Sequence, residues 1–202
     1  MTFFLLALTS LHSRQFWLRG RFTLFCRSKN KNILEKLVKT TSLVCLSNLE
    51  AVRFSTAFSV AYHAFLRVGE FSLSPNQTNQ VIALGHLKFV TNRNSTVDYI
   101  ELIIPFSKTD QTGKGESVIL EPTKNYVCPV LWLKKYLAIR PKIGGQLFVH
   151  LDGSPLTRFQ FCSVLNKSLE VAGFPKTLYK SHSFRIGAAS DMFFGRSFRI
   201  GN

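Results

Sequence analysis

The chain has 202 residues, enough for one sizeable domain or for one domain with a small appendage. A hydrophobic content of 46% predicts a packed core and excludes a disordered chain. The formal charge of +15 favours a polyanionic partner, either nucleic acid or an anionic membrane surface. A basic structural protein without enzymatic activity would carry the same charge.

Residues 1–31 form an unassigned N-terminal segment that combines an apolar start with scattered basic residues. Its periodicity is poor, so it predicts no regular element. The segment is either a basic arm that lies on DNA or sequence foreign to the domain, and we favour the second interpretation. Its apolar start is far shorter than the roughly 20 residues of a membrane span, as is every other apolar stretch. We therefore expect an intracellular protein without a membrane partner.

Two helices are predicted next, because apolar residues recur at helical spacing over 32–49 and again over 50–66. The second helix is rich enough in apolar residues to be largely buried. Gly69 is the expected C-cap that turns the chain after it. Arg67 then lies at the helix end, three residues before Glu70. Taken alone, such a pair is most simply a surface ion pair worth under about 1 kcal/mol.

The middle of the chain predicts a three-stranded antiparallel sheet, with strands over 81–90, 99–106 and 117–120. Turn residues separate the first two strands, and a glycine-containing loop separates the last two. That loop carries Lys108 and Lys114.

The C-terminal half predicts helices again. One opens with Pro129 and closes before Pro141, and another runs from 157 to 172 with Gly173 as its cap. A tight turn is predicted at 152–153. Helices, a small sheet and helices again indicate an α+β fold that is mostly α-helical.

The most informative motif is SHSFRIGAAS, residues 181–190. Ser181 is a plausible N-cap, which places His182 and Arg185 on one face of the first helical turn. The first turn of a helix also offers free backbone N–H groups and the positive end of the helix dipole. An imidazole, a guanidinium and a helix N-terminus together form a phosphate clamp. Taken alone, His182 is more often a helix-start residue and Arg185 a solvated one.

In chain order, the LRVGE segment at 66–70, the lysine-bearing hairpin and the His-x-x-Arg helix start resemble the tyrosine recombinase (phage-integrase) family. The resemblance is greatest to recombinases of animal mobile elements and covers residues 49 to 191. It implies a tyrosine-recombinase-like fold, DNA recombination and integration through a phosphotyrosyl intermediate, and nuclear residence. It further implies double-stranded DNA as partner, with a homo-oligomer possible on DNA. Residues 49–202 would be a partial catalytic domain, and 32–48 a helical linker or a remnant of the DNA-clamping domain.

The same resemblance assigns roles to individual residues. Arg67 and Arg185 would neutralise the pentavalent phosphorane, because each guanidinium can bind two phosphate oxygens. His182 would donate a hydrogen bond to the same phosphate or assist proton movement. Lys108 would be the general acid toward the 5′ oxygen, although Lys114 could serve instead. Both lysines are also candidate phosphate contacts, and Glu70 would orient Arg67.

A nucleophile is the missing element. The family's tyrosine follows the His-x-x-Arg helix, whereas all five tyrosines of this chain precede His182. We therefore expect a C-terminally truncated recombinase that is inactive alone. The alternatives are a non-enzymatic basic DNA-binding remnant of a mobile element and a basic structural protein with chance motifs.

No cofactor or metal is expected. The four cysteines fit no C-x-x-C pattern, and the five histidines do not cluster with carboxylates or cysteines in the sequence.

Overall fold

The computed structural model describes residues 27–75, 80–91, 97–106 and 115–197, with the side chains of 27–30, 97 and 192–197 left out. Six α-helices and three β-strands lie in these ranges. In chain order they are α1 Arg27–Val44, α2 Asn48–His63, α3 Val68–Phe71, β1 Leu87–Thr91, β2 Val97–Ile104, β3 Glu116–Leu120, α4 Pro129–Ile139, α5 Arg158–Val171 and α6 Ser183–Ser197. Within these ranges, none of the helices has the length and the apolar character that a membrane crossing requires.

Helix α2 is the centre of the fold. Every residue from Arg53 to Tyr62 is buried, and the helix packs against α1, α4 and α6. A helix enclosed on all sides must satisfy its polar side chains internally. Thr56 donates a hydrogen bond to the carbonyl of Trp132 (3.0 Å), and Ser59 donates one to the carbonyl of Val127 (2.7 Å). These bonds fix α2 against the start of α4.

The three strands form one antiparallel sheet in the order β1-β2-β3. Ile100, Leu102 and Ile104 of β2 alternate into the core, as the period of a strand requires. The predicted sheet is therefore confirmed, but its first strand is shorter than expected. Residues 84–86 form a 3₁₀ turn instead, in which His86 Nδ1 accepts a hydrogen bond from the backbone N–H of Ala83 (3.0 Å).

The boundary between the first two helices differs from the prediction by several residues. Helix α1 begins at Arg27 and ends at Val44, and α2 begins at Asn48. The cause is the N-cap at Ser47, whose Oγ accepts from Glu50 N (3.1 Å), while Glu50 Oε2 accepts from the N–H of Leu46, the residue before the cap (2.9 Å). This S-x-x-E pattern is legible in the sequence, but the continuous apolar periodicity conceals it.

The later helices lie where they were predicted. Helix α4 spans Pro129–Ile139 and begins with its proline, and Thr157 caps α5 by accepting from Gln160 N (3.2 Å). Helix α5 ends in a Schellman motif, in which Phe174 N–H donates to Leu169 O (2.8 Å) and Gly173 adopts a φ of +74°. The predicted cap at Gly173 is confirmed.

Candidate phosphate-binding site

Helix α2 ends immediately before the first candidate arginine. Leu66 N–H donates to Ala61 O (2.9 Å) and Phe65 N–H donates to Tyr62 O (3.3 Å), which is again a Schellman motif. The left-handed position is occupied by Phe65, with a φ of +56°, and not by glycine. The predicted C-cap at Gly69 is therefore wrong. Phe65 is held in this conformation because its ring packs against the core.

Arg67 is the N-cap of the short helix α3. Its backbone N–H donates to Glu70 Oε2 (2.8 Å), and its Nη1 donates to Glu70 Oε1 (3.1 Å). Glu70 therefore holds both the backbone and the guanidinium of the same arginine. The side chain of Arg67 is 27% exposed, so the group remains accessible from solvent.

Glu70 differs from the surface ion pair that the sequence alone suggested, because its side chain is only 7% exposed. Burial raises the pKa of the Glu70 carboxyl, and the hydrogen bonds and charge of Arg67 oppose that rise. The backbone of Glu70 is fixed as well, since its carbonyl accepts from Ile82 N (2.8 Å). Arg67 is consequently oriented by a carboxylate that is itself rigidly placed.

The second basic segment begins helix α6. The first helical residue is Ser183, so the N-cap position belongs to His182, whose carbonyl accepts from Ile186 N (3.3 Å). The helix therefore starts one residue later than a cap at Ser181 would give. Ser183 Oγ accepts from Lys180 N (3.0 Å) and stabilises the turn before the helix. His182 is exposed and Arg185 is half-buried, both at the helix start where unpaired N–H groups favour anions.

An aromatic cluster joins the two basic segments. Phe161 of α5 lies at its centre and is fully buried. Its ring meets Phe71, the residue after Glu70, with centroids 5.0 Å apart, and Phe184, the residue before Arg185, with centroids 5.9 Å apart. Phe184 also stacks on Phe58 of α2 at 5.4 Å. The Arg67 turn and the Arg185 helix are therefore anchored on the same ring.

A buried polar pair, absent from the sequence-based site, makes a further connection. The hydroxyl of Tyr62 in α2 donates a short hydrogen bond to Asp191 Oδ2 in α6. Both residues are buried, and burial, followed by the bond to Asp191, raises the pKa of Tyr62. Tyr62 lies five residues before Arg67, and Asp191 six residues after Arg185. Nothing local in the sequence pairs residues that are 129 positions apart.

Two of the five tyrosines have buried and engaged hydroxyl groups. The hydroxyl of Tyr62 donates to Asp191 Oδ2. The hydroxyl of Tyr136 accepts from Val149 N (3.0 Å) and donates to Leu147 O (3.2 Å). Burial raises the pKa of both phenols, which disfavours the phenolate that a nucleophile requires.

Some predicted groups cannot be placed. Lys108 and Lys114, with the whole loop 107–114, lie outside the described residues, as does most of the segment 1–31. Among the residues that are described, no three His, Cys, Asp or Glu side chains gather in a way that could hold a metal ion.

Comparisons by sequence give no match, neither to a protein-family model nor to a curated protein. Solved structures do match. The XerH site-specific recombinase bound to palindromic difH substrate, a post-cleavage complex, aligns with a TM-score of 0.60 and 17% identity, covering 82% of this chain and 42% of that one. XerA recombinase aligns with a TM-score of 0.51 and 19% identity, covering 85% of this chain and 50% of that one. The Flpe–Holliday junction complex aligns with a TM-score of 0.54 and 14% identity, covering 93% of this chain and 44% of that one.

These similarities confirm the predicted fold class, an α+β, mostly helical domain of the tyrosine-recombinase type. They extend over most of the chain, which spans half or less of the length of these three proteins. At identities below one fifth, they establish the architecture alone.

Proposed function

We propose that this chain, with its tyrosine-recombinase-like fold, binds the phosphate backbone of double-stranded DNA and serves DNA recombination or integration. The order of its motifs, LRVGE before SHSFRIG, supports a recombinase of the kind carried by animal mobile elements, acting in the nucleus. The proposed site consists of Arg67, His182 and Arg185, completed by Lys108 or Lys114 from the hairpin loop.

One observation carries the proposal: both arginine-bearing segments are anchored on the Phe161 ring. Chance motifs in a basic structural protein would have no reason to converge there from three separate helices. The arrangement fixes the backbone segments that carry both arginines, and Glu70 also orients the guanidinium of Arg67. Fixed donors of this kind are what electrostatic stabilisation of a phosphorane requires. A guanidinium binds two phosphate oxygens through parallel N–H groups, which a lysine cannot do.

Glu70 is the positioning residue of this site. Its carboxylate accepts from the backbone and from Nη1 of Arg67, so the guanidinium keeps a defined direction. His182, exposed at the N-cap of α6, would donate a hydrogen bond to the same phosphate. A lysine from the loop would protonate the leaving 5′ oxygen.

In the family that the chain resembles, strand cleavage uses a tyrosine that follows the His-x-x-Arg helix, whereas all five tyrosines of these 202 residues precede His182. That fact favours a second candidate function, in which these 202 residues bind DNA phosphates without cleaving the strand. The two candidates differ in one observable, a covalent protein–DNA adduct. A denaturing gel of the chain incubated with labelled duplex detects such an adduct.

DNA binding itself is tested by anisotropy of a labelled duplex between 50 and 200 mM salt, compared for two charge-matched double variants. Arg67→Gln/Arg185→Gln removes the proposed phosphate contacts, whereas Lys88→Gln/Lys142→Gln removes two exposed cations from the sheet and from the loop after α4. We expect the slope of log K against log salt to fall by about 0.9 per lost contact in the arginine variant, and little change in the lysine control. Equal slopes for the two variants would overturn the proposal. Arg67→Lys, which keeps a charge beside Glu70, controls for loss of folding.

A further inference from the structure

A row of alternating lysines and aromatic rings crosses from α1 to α4. Lys39 Nζ lies 5.4 Å from the ring centroid of Tyr126, and Lys135 Nζ lies 4.8 Å from that of Trp132. The two rings meet edge to face, with centroids 5.8 Å apart. Two cations and two rings therefore form one continuous row.

The row continues in the other direction along α1. Lys36, three residues before Lys39 on the same helix face, places its Nζ 5.4 Å from the ring centroid of Phe174. Phe174 contacts Tyr179 edge to face at 5.7 Å, and Tyr179 lies three residues before His182. The row thus leads to the loop that opens α6. We call the three lysines 36, 39 and 135, with these four rings, the lysine ridge.

The lysine ridge keeps its positive charge available. All three lysines are exposed, and among the described residues only Lys39 has a carboxylate partner, Glu35 at 2.6 Å. Contact with a ring orients an ammonium group without neutralising it. An ordered lysine loses less side-chain freedom when it binds an anion, so the ridge is better prepared for a phosphate than scattered lysines are.

We propose that the lysine ridge is a second surface for the phosphate backbone of duplex DNA, continuous with the candidate site at His182. This inference rests on the proposed function, because it assigns the same duplex to both surfaces. One face of the Tyr126 ring and one face of the Phe174 ring each lie beneath an ammonium group, and Trp132 is only 7% exposed. Rings so occupied are not arranged to stack on bases, which favours a duplex backbone over a single strand.

The test removes Lys36 and Lys135, the two lysines of the ridge without a carboxylate partner among the described residues. In Lys36→Gln/Lys135→Gln, we expect the slope of log K against log salt for duplex binding to be less steep by about 1.8. Raising salt from 50 to 200 mM should then reduce the affinity of the variant by a factor about twelvefold smaller than that of the wild type. The charge-matched Lys88→Gln/Lys142→Gln should keep the wild-type slope, and Lys36→Arg/Lys135→Arg should restore it.

The outcomes separate this inference from the proposed function. A reduced slope for Arg67→Gln/Arg185→Gln with an unchanged slope for Lys36→Gln/Lys135→Gln overturns the ridge and leaves the proposed function standing. A reduced slope for Lys36→Gln/Lys135→Gln with an unchanged slope for Arg67→Gln/Arg185→Gln supports the ridge as a DNA surface and overturns the arginine site. Ridge-dependent binding that is tighter for a single strand than for a duplex overturns the ridge as a duplex surface.

Discussion

Phe184 is expected to be the residue that docks helix α6, and with it Arg185, onto the rest of the domain. Its side chain is 6% exposed, stacks on Phe58 and contacts Phe161. Truncating a buried phenylalanine to alanine destabilises by about 3–5 kcal/mol. Alanine has the better helix propensity by roughly 0.5 kcal/mol, which offsets a small part of the loss. We therefore expect Phe184→Ala to lower the free energy of opening α6 by about 3–4 kcal/mol.

The matched control is Ile186→Ala in the same turn. Ile186 is 41% exposed, so its truncation removes far less buried surface, and the propensity gain is similar. Substitutions at such positions usually change stability within about 0.5 kcal/mol. Phe184→Leu is an intermediate variant that fills most of the volume but loses two ring contacts, each worth about 0.5–1.5 kcal/mol.

Hydrogen exchange measured by mass spectrometry separates local from global effects. In Phe184→Ala, peptides from 183–191 should exchange about 100-fold faster or more, because each 1.4 kcal/mol corresponds to roughly a factor of ten. Peptides from α4 should change much less, since α4 packs mainly on α2. Equal protection of α6 in Phe184→Ala and Ile186→Ala would refute the reasoning that the aromatic cluster anchors the helix.

Three further predictions concern stability. Tyr62→Phe should lower the free energy of unfolding by about 1.5–3 kcal/mol in urea titrations, because it removes a hydrogen bond to a carboxylate. The control Tyr126→Phe, at a half-exposed ring, should change the free energy of unfolding by under about 0.5 kcal/mol. Gly173→Ala should lower the free energy of unfolding by about 1–2 kcal/mol because of its left-handed backbone. Crowding does not contribute, since no atom beyond the neighbouring residues lies within 4 Å of the added methyl group. Gly144→Ala, at a glycine without positive φ, is the control. Glu70 binds its proton more tightly in the folded state, so its contribution to stability is greatest below the ordinary pKa of 4.5 and declines as pH rises through the raised pKa. Urea denaturation of Glu70→Gln at several pH values in that range should show no such decline in the free energy of unfolding. Identical pH profiles for the variant and the wild type would contradict the raised pKa of Glu70 as the cause.

The elements that the sequence predicts well are those with local chemical signals. Pro129 and Pro141 delimit α4, and the T-x-x-Q box at Thr157 opens α5. The apolar run over 99–106 predicts the central strand β2, whose Ile100, Leu102 and Ile104 are buried. Each signal acts within a few residues, and tertiary packing reinforces it.

The end of α2 could not be predicted in the same way. Local preference places the left-handed residue at glycine, which points to Gly69, but the structure places it at Phe65. Packing of the Phe65 ring on the core offsets a backbone penalty of roughly 1–2 kcal/mol. The Tyr62–Asp191 bond and the aromatic cluster around Phe161 escape prediction for a related reason, since contacts between distant segments leave no periodic pattern.

Two unfavourable features of the domain lie beside Arg67. Phe65, two residues before it, is in a left-handed conformation, and Glu70, three residues after it, is a carboxylate whose burial raises its pKa. Both destabilise the fold, and neither is needed to end a helix or to turn the chain, since Gly173 ends α5 by the same motif without strain of this kind. Natural sequences break local rules mainly where function requires a fixed geometry. The geometry fixed here is the direction of one guanidinium, which supports assigning Arg67 to the binding of an anion rather than to the stability of the domain.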